Sequence, residues 1–475
     1  MRRRPLHTDL DLAPVWRDLE LPTGFPPEVE AAAARAADTL GSERRDATDI
    51  PFVTVDPPGA MDLDQALHLA PRPGGDAGER AGGWIVHYAI ADLAAFVAAG
   101  DPVDVEARRR GETLYLPDGR VPLHPPVLSE GTASLLPGVD RPAVLWRIEV
   151  DGDGEQVDVS VERATVRTRS RHAYVDLQAA LDAGDAPEAA RALPDLGAAR
   201  VARARREGAI ELGLPSQEVV QREDGSWTIE LRAPLPVETW NAQVSLLTGM
   251  AAAGLMLDAG VGLLRTLPEP DERTVRRLRA GAPALGVDWP GGARPGEVLA
   301  ALDARQPRAA AFLDLAAELL RGAGYKPFDG AVPAAPGHAG VGAPYAHVTA
   351  PIRRLGDRFA TEVCLAVSAG REVPGWVRDA LPLLPDLLAD SGRRSRSVER
   401  AAVDHVEAWL LADRVGETFD AAVVEHDGER DRCTVVLDDP AVRARCDGRP
   451  PLGERTTVRL VEADLATRTV RFAPA

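Results

Sequence analysis

Residues 53–67 read Val-Thr-Val-Asp56-Pro-Pro-Gly-Ala-Met-Asp62-Leu-Asp64-Gln65-Ala-Leu, with three carboxylates inside nine residues. The run IPFVTV before them and ALHLA after them read as β-strands, and Pro-Pro-Gly reads as a turn. Asp62 and Asp64 are two residues apart, which in an extended chain puts them on one side. The turn can fold Asp56 back toward them. Isolated aspartates are ionised at pH 7, with a reference pKa of about 3.9, so three on one spot repel unless a cation lies between them. Carboxylate oxygens suit a hard divalent ion, Mg²⁺ or Mn²⁺. Spacing alone leaves a solvated acidic turn open as the plainer reading.

A second cluster spans residues 337–354, GHAGVGAPYAHVTAPIRR. Its glycines and prolines expose backbone, and Arg353 and Arg354 stand at an expected helix start. There a guanidinium, backbone N–H groups and the helix dipole together favour a phosphate. Carboxylates holding a metal plus an arginine on the phosphate are the minimum for phosphodiester hydrolysis. The alternative is that these arginines pair with Asp357 or Glu362 on the surface.

Around these clusters the chain divides into unlike parts. Residues 26–40 read as a short helix. VLWRIEVDGDGE and VDVSVERATVRTR read as strands joined by an Asp/Gly turn. Helices are expected over about 174–206, 237–265, 352–369 and 376–415. The apolar stretch Val244 to Leu264 is too interrupted for a membrane span and reads as a core helix. From about 418, short strands separated by turn residues suggest a small closed barrel of OB type.

Composition narrows the class. With 475 residues, 45% hydrophobic and 27% charged, the chain is globular and long enough for two or three domains. Three cysteines without a CxxC pair exclude a disulfide scaffold and fit a reducing cytoplasm. A net charge of −18 argues against nonspecific coating of duplex DNA, yet leaves room for a locally arginine-lined groove.

The ordered blocks VTVDPPGAMDLDQAL, IVHYAIADLAAFV, LYLPDGRVPLHPPVLSEGTASLLPGVDRPA, RREGAIELGLP, GHAGVGAPYAHVTAPIRRLGDR and SRSVERAAVDHVEAWL resemble the ribonuclease II (RNB) family of hydrolytic 3′→5′ exoribonucleases. The resemblance implies an α+β fold, a mixed β core surrounded by helices, followed by the small OB-like barrel. It divides the chain into an N-terminal helical extension (1–46), a catalytic domain (47–415) and the barrel (416–475). It implies that Asp56, Asp62 and Asp64 hold the metal, with Asp64 the most critical, and that Arg353 stabilises charge developing on the scissile phosphate. Tyr115 would stack on the 3′-terminal bases, Tyr174 would lie near the terminal ribose, and Glu399 and Arg354 would contact RNA. Core or surface roles stay open for Tyr174 and Glu399.

Three features depart from the family pattern. Gln65 stands where a fourth aspartate is usual, and is expected to ligate Mg²⁺ through its amide oxygen without the charge. Asn241-Ala242-Gln243 replaces a usual Glu-Glu pair. Only about 46 residues precede the catalytic region in this sequence, so the usual N-terminal cold-shock barrels are expected to be missing. The resulting expectation is a Mg²⁺-dependent (or Mn²⁺-dependent) cytoplasmic exoribonuclease. It would degrade single-stranded RNA to nucleoside 5′-monophosphates, with no membrane or DNA partner and a monomer favoured. The alternative is a catalytically weakened RNB shell that binds RNA.

Overall fold

A computed structural model describes residues 9–41, 44–73, 82–428 and 431–475. The Arg2–Arg4 end and most of the glycine-rich segment 71–83 lie outside them.

The centre is a six-stranded mixed sheet of order β1–β8–β2–β3–β4–β7. Its strands are β1 (Arg45–Asp46), β2 (Phe52–Asp56), β3 (Gln65–Pro71), β4 (Trp84–Ala91), β7 (Asp140–Val150) and β8 (Gln156–Ala173). A small hairpin, β5 (Leu114–Leu116) and β6 (Gly119–Val121), lies apart from it. β8 is long enough to pair twice: its first half runs antiparallel to β7, and its second half parallel to β1 and β2. The sheet therefore curls back on itself, which brings the end of β2, the start of β3 and the end of β8 together.

Alternation explains the strands. In β8, Ala164, Val166 and Thr168 are buried while the intervening Thr165 and Arg167 are only partly so. The helix Pro236–Ala259 covers one face of the sheet, burying Val237, Val244, Leu247, Ala251 and Met256 in the same core as Val86, Tyr88 and Trp146. It is the one described helix apolar and long enough to cross a membrane, and half of its most apolar window is buried inside the fold, as a core helix requires. The expected helix over 237–265 is shorter than read: Gly260 ends it in the left-handed conformation, at φ 70°. Residues Val261–Thr266 then form β11, paired with β12 (Gly324–Asp329).

Between these elements, β9 (Ser216–Gln221) and β10 (Trp227–Arg232) form a hairpin. Two-residue strands β13 (Gly337–His338) and β14 (Ala343–Pro344) pair within the second cluster. The N-terminal helices are Ala13–Asp18 and Pro27–Arg35, and the sheet already begins at Arg45. At the other end, β15 (Thr418–His426), β16 (Arg432–Leu437), β17 (Arg443–Asp447), β18 (Arg455–Asp464) and β19 (Thr469–Pro474) close a barrel in the order β15–β16–β17–β19–β18.

Candidate active site

β2 delivers Asp56 at its last residue, and the chain then turns through Pro57–Gly59, where Gly59 takes φ 80°. Leu63 is fully buried and anchors the returning segment, with its neighbours Asp62 and Asp64 on either side. Residues 134–135 latch this loop: Leu63 N donates to Ser134 Oγ (3.0 Å), Ser134 Oγ to Met61 O (2.6 Å) and Leu135 N to Leu63 O (3.0 Å).

The second cluster meets the first here. Asp64 Oδ1 accepts from Ile352 N at 2.8 Å, and Asp64 Oδ2 lies 3.3 Å from Arg353 Nε. Arg353 is pinned by backbone pairing with the segment before β5: Thr113 N donates to Arg353 O, and Leu355 N to Gly111 O, both at 3.0 Å. Gly111 is required there, since its φ is 78° and a Cβ would lie 2.4 Å from Ser391 Cβ of the helix Leu384–Leu411.

The electrostatics are unusual for carboxylates. Burial pushes Asp64 up to about 7, only partly offset by Arg353 and the Ile352 N–H. Burial likewise pushes Asp56 up to about 6, with Arg353 opposing and Asp62 adding repulsion. Asp56 Oδ2 and Asp64 Oδ2 are buried without a hydrogen-bond partner. Two orphaned carboxylate oxygens are what a hard cation would satisfy, and in that respect the donors fit one. Among the described residues, however, no three carboxylate, histidine or cysteine side chains are gathered closely enough to hold a metal ion. The third expected ligand is engaged elsewhere: Asp62 Oδ1 accepts from Arg120 Nη1 at 2.8 Å.

The remaining expected residues divide. Tyr115, half exposed, extends its hydroxyl to within 3.4 Å of Asp62 Oδ2. Tyr174 follows Ala173, the β8 partner of Asp56, and its hydroxyl lies near Asn241 and Asp56. Both tyrosines therefore lie beside the carboxylates.

Three further expected residues are held as follows. The amide of Gln65 is taken at both ends, its nitrogen donating to Thr349 O and its oxygen accepting from the Tyr88 hydroxyl, each at 2.7 Å. It braces the two clusters against each other instead of offering a free metal ligand. Arg354 is bound to Asp357, Nη2 to Oδ2 at 2.7 Å with Nε 3.1–3.2 Å from both oxygens, so it is tied to the first turn of the helix Leu355–Ser368. Glu399 is exposed, and no hydrogen bond joins it to the site among the described residues. Only its neighbour Val398 packs with Leu114 and Leu116, which flank Tyr115.

Sequence reading missed Arg120 and Glu130, which are bonded to each other and, through Arg120, to Asp62. The signal was present. LYL-PD-GRV reads as a two-residue hairpin, and in that register Arg120 stands opposite Tyr115.

A family model of the RNB domain matches residues 44–366, and one of the RNase II-type exonuclease C-terminal S1 domain matches residues 417–475. Ribonuclease R of Escherichia coli is 27% identical over 439 residues, covering 86% of this chain and 52% of its own length. Ribonuclease R of Thermotoga maritima is 26% identical over 441 residues, covering 87% of this chain and 60% of its own length. The chain thus spans little more than half the length of these relatives. Among solved structures, Mycoplasma genitalium RNase R in complex with ribose methylated single-stranded RNA superposes with a TM-score of 0.85 at 21% identity, covering 97% of this chain and 77% of that one. Yeast Ssd1, a pseudonuclease, superposes with a TM-score of 0.70 at 16% identity, covering 91% of this chain and 55% of that one.

Proposed function

Because the chain belongs to the RNB family, we propose that it is a hydrolytic exoribonuclease that shortens single-stranded RNA from its 3′ end and releases nucleoside 5′-monophosphates. The observation that carries this reading is the pair of orphaned carboxylate oxygens on Asp56 and Asp64, with Arg353 3.3 Å from Asp64.

Asp56 and Asp64 would hold a divalent ion, Mg²⁺ or Mn²⁺, with Asp62 joining them. When bound, the ion supplies positive charge for the scissile phosphate and favours ionisation of an attacking water. The chain's own residues do the rest. Arg353 is half exposed and anchored through its backbone, so its guanidinium can leave Asp64 for a phosphate oxygen and stabilise the charge developing there. Tyr115 presents an exposed ring beside Asp62, a surface on which a terminal base can stack at a gain of about 1–3 kcal/mol. Tyr174 and the neighbouring Asn241 would lie beside the terminal ribose.

A second reading is an RNA-binding shell without turnover. It is favoured by the commitment of Gln65 to structural hydrogen bonds and by the likeness to a pseudonuclease fold.

The test is digestion of 5′-labelled single-stranded RNA and matching DNA, with Mg²⁺, with Mn²⁺ and with chelator, by wild type and Asp64→Asn. Stepwise 3′ shortening of RNA that needs the metal and Asp64 is expected. RNA binding without shortening in either metal would overturn the nuclease reading in favour of the shell. Equal loss of DNA would overturn the choice of substrate.

A further inference from the structure

We propose that Arg120 is a built-in counter-ion for Asp62, a positioning residue that governs how tightly the carboxylate cluster takes up a divalent cation. The proposal rests on the metal reading above.

Tyr115 and Arg120 are directly opposed across the β5–β6 hairpin, so their side chains share a face. Both reach Asp62, the phenol at 3.4 Å from one carboxylate oxygen and the guanidinium at 2.8 Å from the other. The second terminal nitrogen of Arg120 donates to Glu130 Oε1. One guanidinium is thus shared between a carboxylate of the site and a carboxylate outside it. The Asp62 side chain is only 12% exposed and that of Arg120 28%, so this pair is less screened than one at the open surface.

The arrangement divides the three aspartates. Asp56 and Asp64 each keep an orphaned oxygen, whereas Asp62 is already neutralised. A cation entering the cluster must either draw Asp62 away from Arg120 or make do with two carboxylates. Glu130 acts in the opposite sense, because it holds the other end of the guanidinium and eases its release from Asp62. Arg120 therefore opposes metal uptake, and Glu130 opposes Arg120.

The measurement is Mn²⁺ binding to the whole chain without RNA, by calorimetry at fixed ionic strength. Arg120→Ala should tighten binding about fivefold, the scale of a partly exposed ion pair. Arg120→Gln, which keeps a hydrogen-bonding group without the charge, should tighten it in the same direction. Glu130→Ala should weaken binding. The double variant should bind like Arg120→Ala alone, because Glu130 acts through Arg120. Strict additivity would mean that both residues act only through the general field of the site, and the proposal would fall. Unchanged or weaker binding in both Arg120 variants would overturn it directly. Asp64→Asn separates this failure from that of the underlying reading. If wild type binds Mn²⁺ no better than Asp64→Asn, the metal site and the counter-ion fall together. If wild type binds better but the Arg120 variants match it, the counter-ion alone falls.

Discussion

Asp64 and Asp357 are both almost fully buried, at 3% and 1% exposure, and adjacent arginines serve them. Asp357 is saturated: it accepts from Ala350 N at 2.7 Å and from Arg354 through two nitrogens. Asp64 accepts one backbone N–H at Oδ1, while its Oδ2 accepts no hydrogen bond and has only Arg353 in ion-pair range at 3.3 Å. Asp104 repeats the first pattern. Burial pushes it up, but Arg358, the Gly100 N–H and Arg108 together hold it below the usual carboxylate range. At Asp64 the same burial wins, because its partners are fewer and looser. Burying a charge costs several kcal/mol unless it is paired and hydrogen-bonded. The framework meets that demand at Asp357 and Asp104. The site leaves it unmet at Asp64, and the proposed cation would meet it there.

The contrast is most exposed to attack at Asp64 itself. Asp64→Asn should cut RNA cleavage by about 10³-fold or more, the scale of losing a charge-stabilising group at a reaction centre. RNA affinity in a filter-binding assay should change only severalfold. Near-normal turnover would remove Asp64 from the chemistry. On the framework side, Asp357→Asn strands Arg354 and should cost about 3–5 kcal/mol in urea denaturation. A loss no greater than that of Asp64→Asn would erase the distinction.

Arg353→Ala separates the adjacent arginines. The side chain is 45% exposed, so stability should stay within about 0.5 kcal/mol of wild type, while turnover falls about 10²-fold. A large loss of stability would make Arg353 a second Arg354.

The smallest expected effect is in pH dependence. Folded Asp64 and Asp56 hold their protons to about 7 and about 6, against about 3.9 when unfolded. Between those values the native state binds more protons than the unfolded one, so stability falls as pH rises. In chelator, the melting temperature should drop from pH 5 to pH 8, and Asp64→Asn should reduce that drop by roughly 1–3 °C. Divalent ion should reduce the wild-type drop in the same way. Identical pH profiles for wild type and variant would mean that Asp64 is ionised at no cost.

Much of this was legible in one dimension. The apolar and β-branched runs of β2, β3, β7 and β8 and the strand-rich C-terminus are local features of the chain, which survive without tertiary context. Asp56, Asp62, Asp64 and Arg353 could be singled out because chemistry of this kind concentrates charged residues beside turns. The arginines of segment 200–206, by contrast, look like an RNA-facing run but serve the framework. Arg200 is buried on Gly154 O, Arg203 binds Glu155 and Arg206 binds Asp153 O.

By itself, then, the sequence determined which elements form and which charged residues are gathered near the turn after β2. Only the tertiary structure decided their partners. Gln65 is separated by 284 residues from Thr349, and Asp64 by 288 from Ile352. Whether a side chain ends saturated or orphaned depends on what the fold brings against it from such distances. Neighbours in sequence such as Arg353 and Arg354 carry the same charge and the same reach. They differ in surroundings, because Arg354 faces a carboxylate closed by four hydrogen-bond contacts and Arg353 a carboxylate left half open.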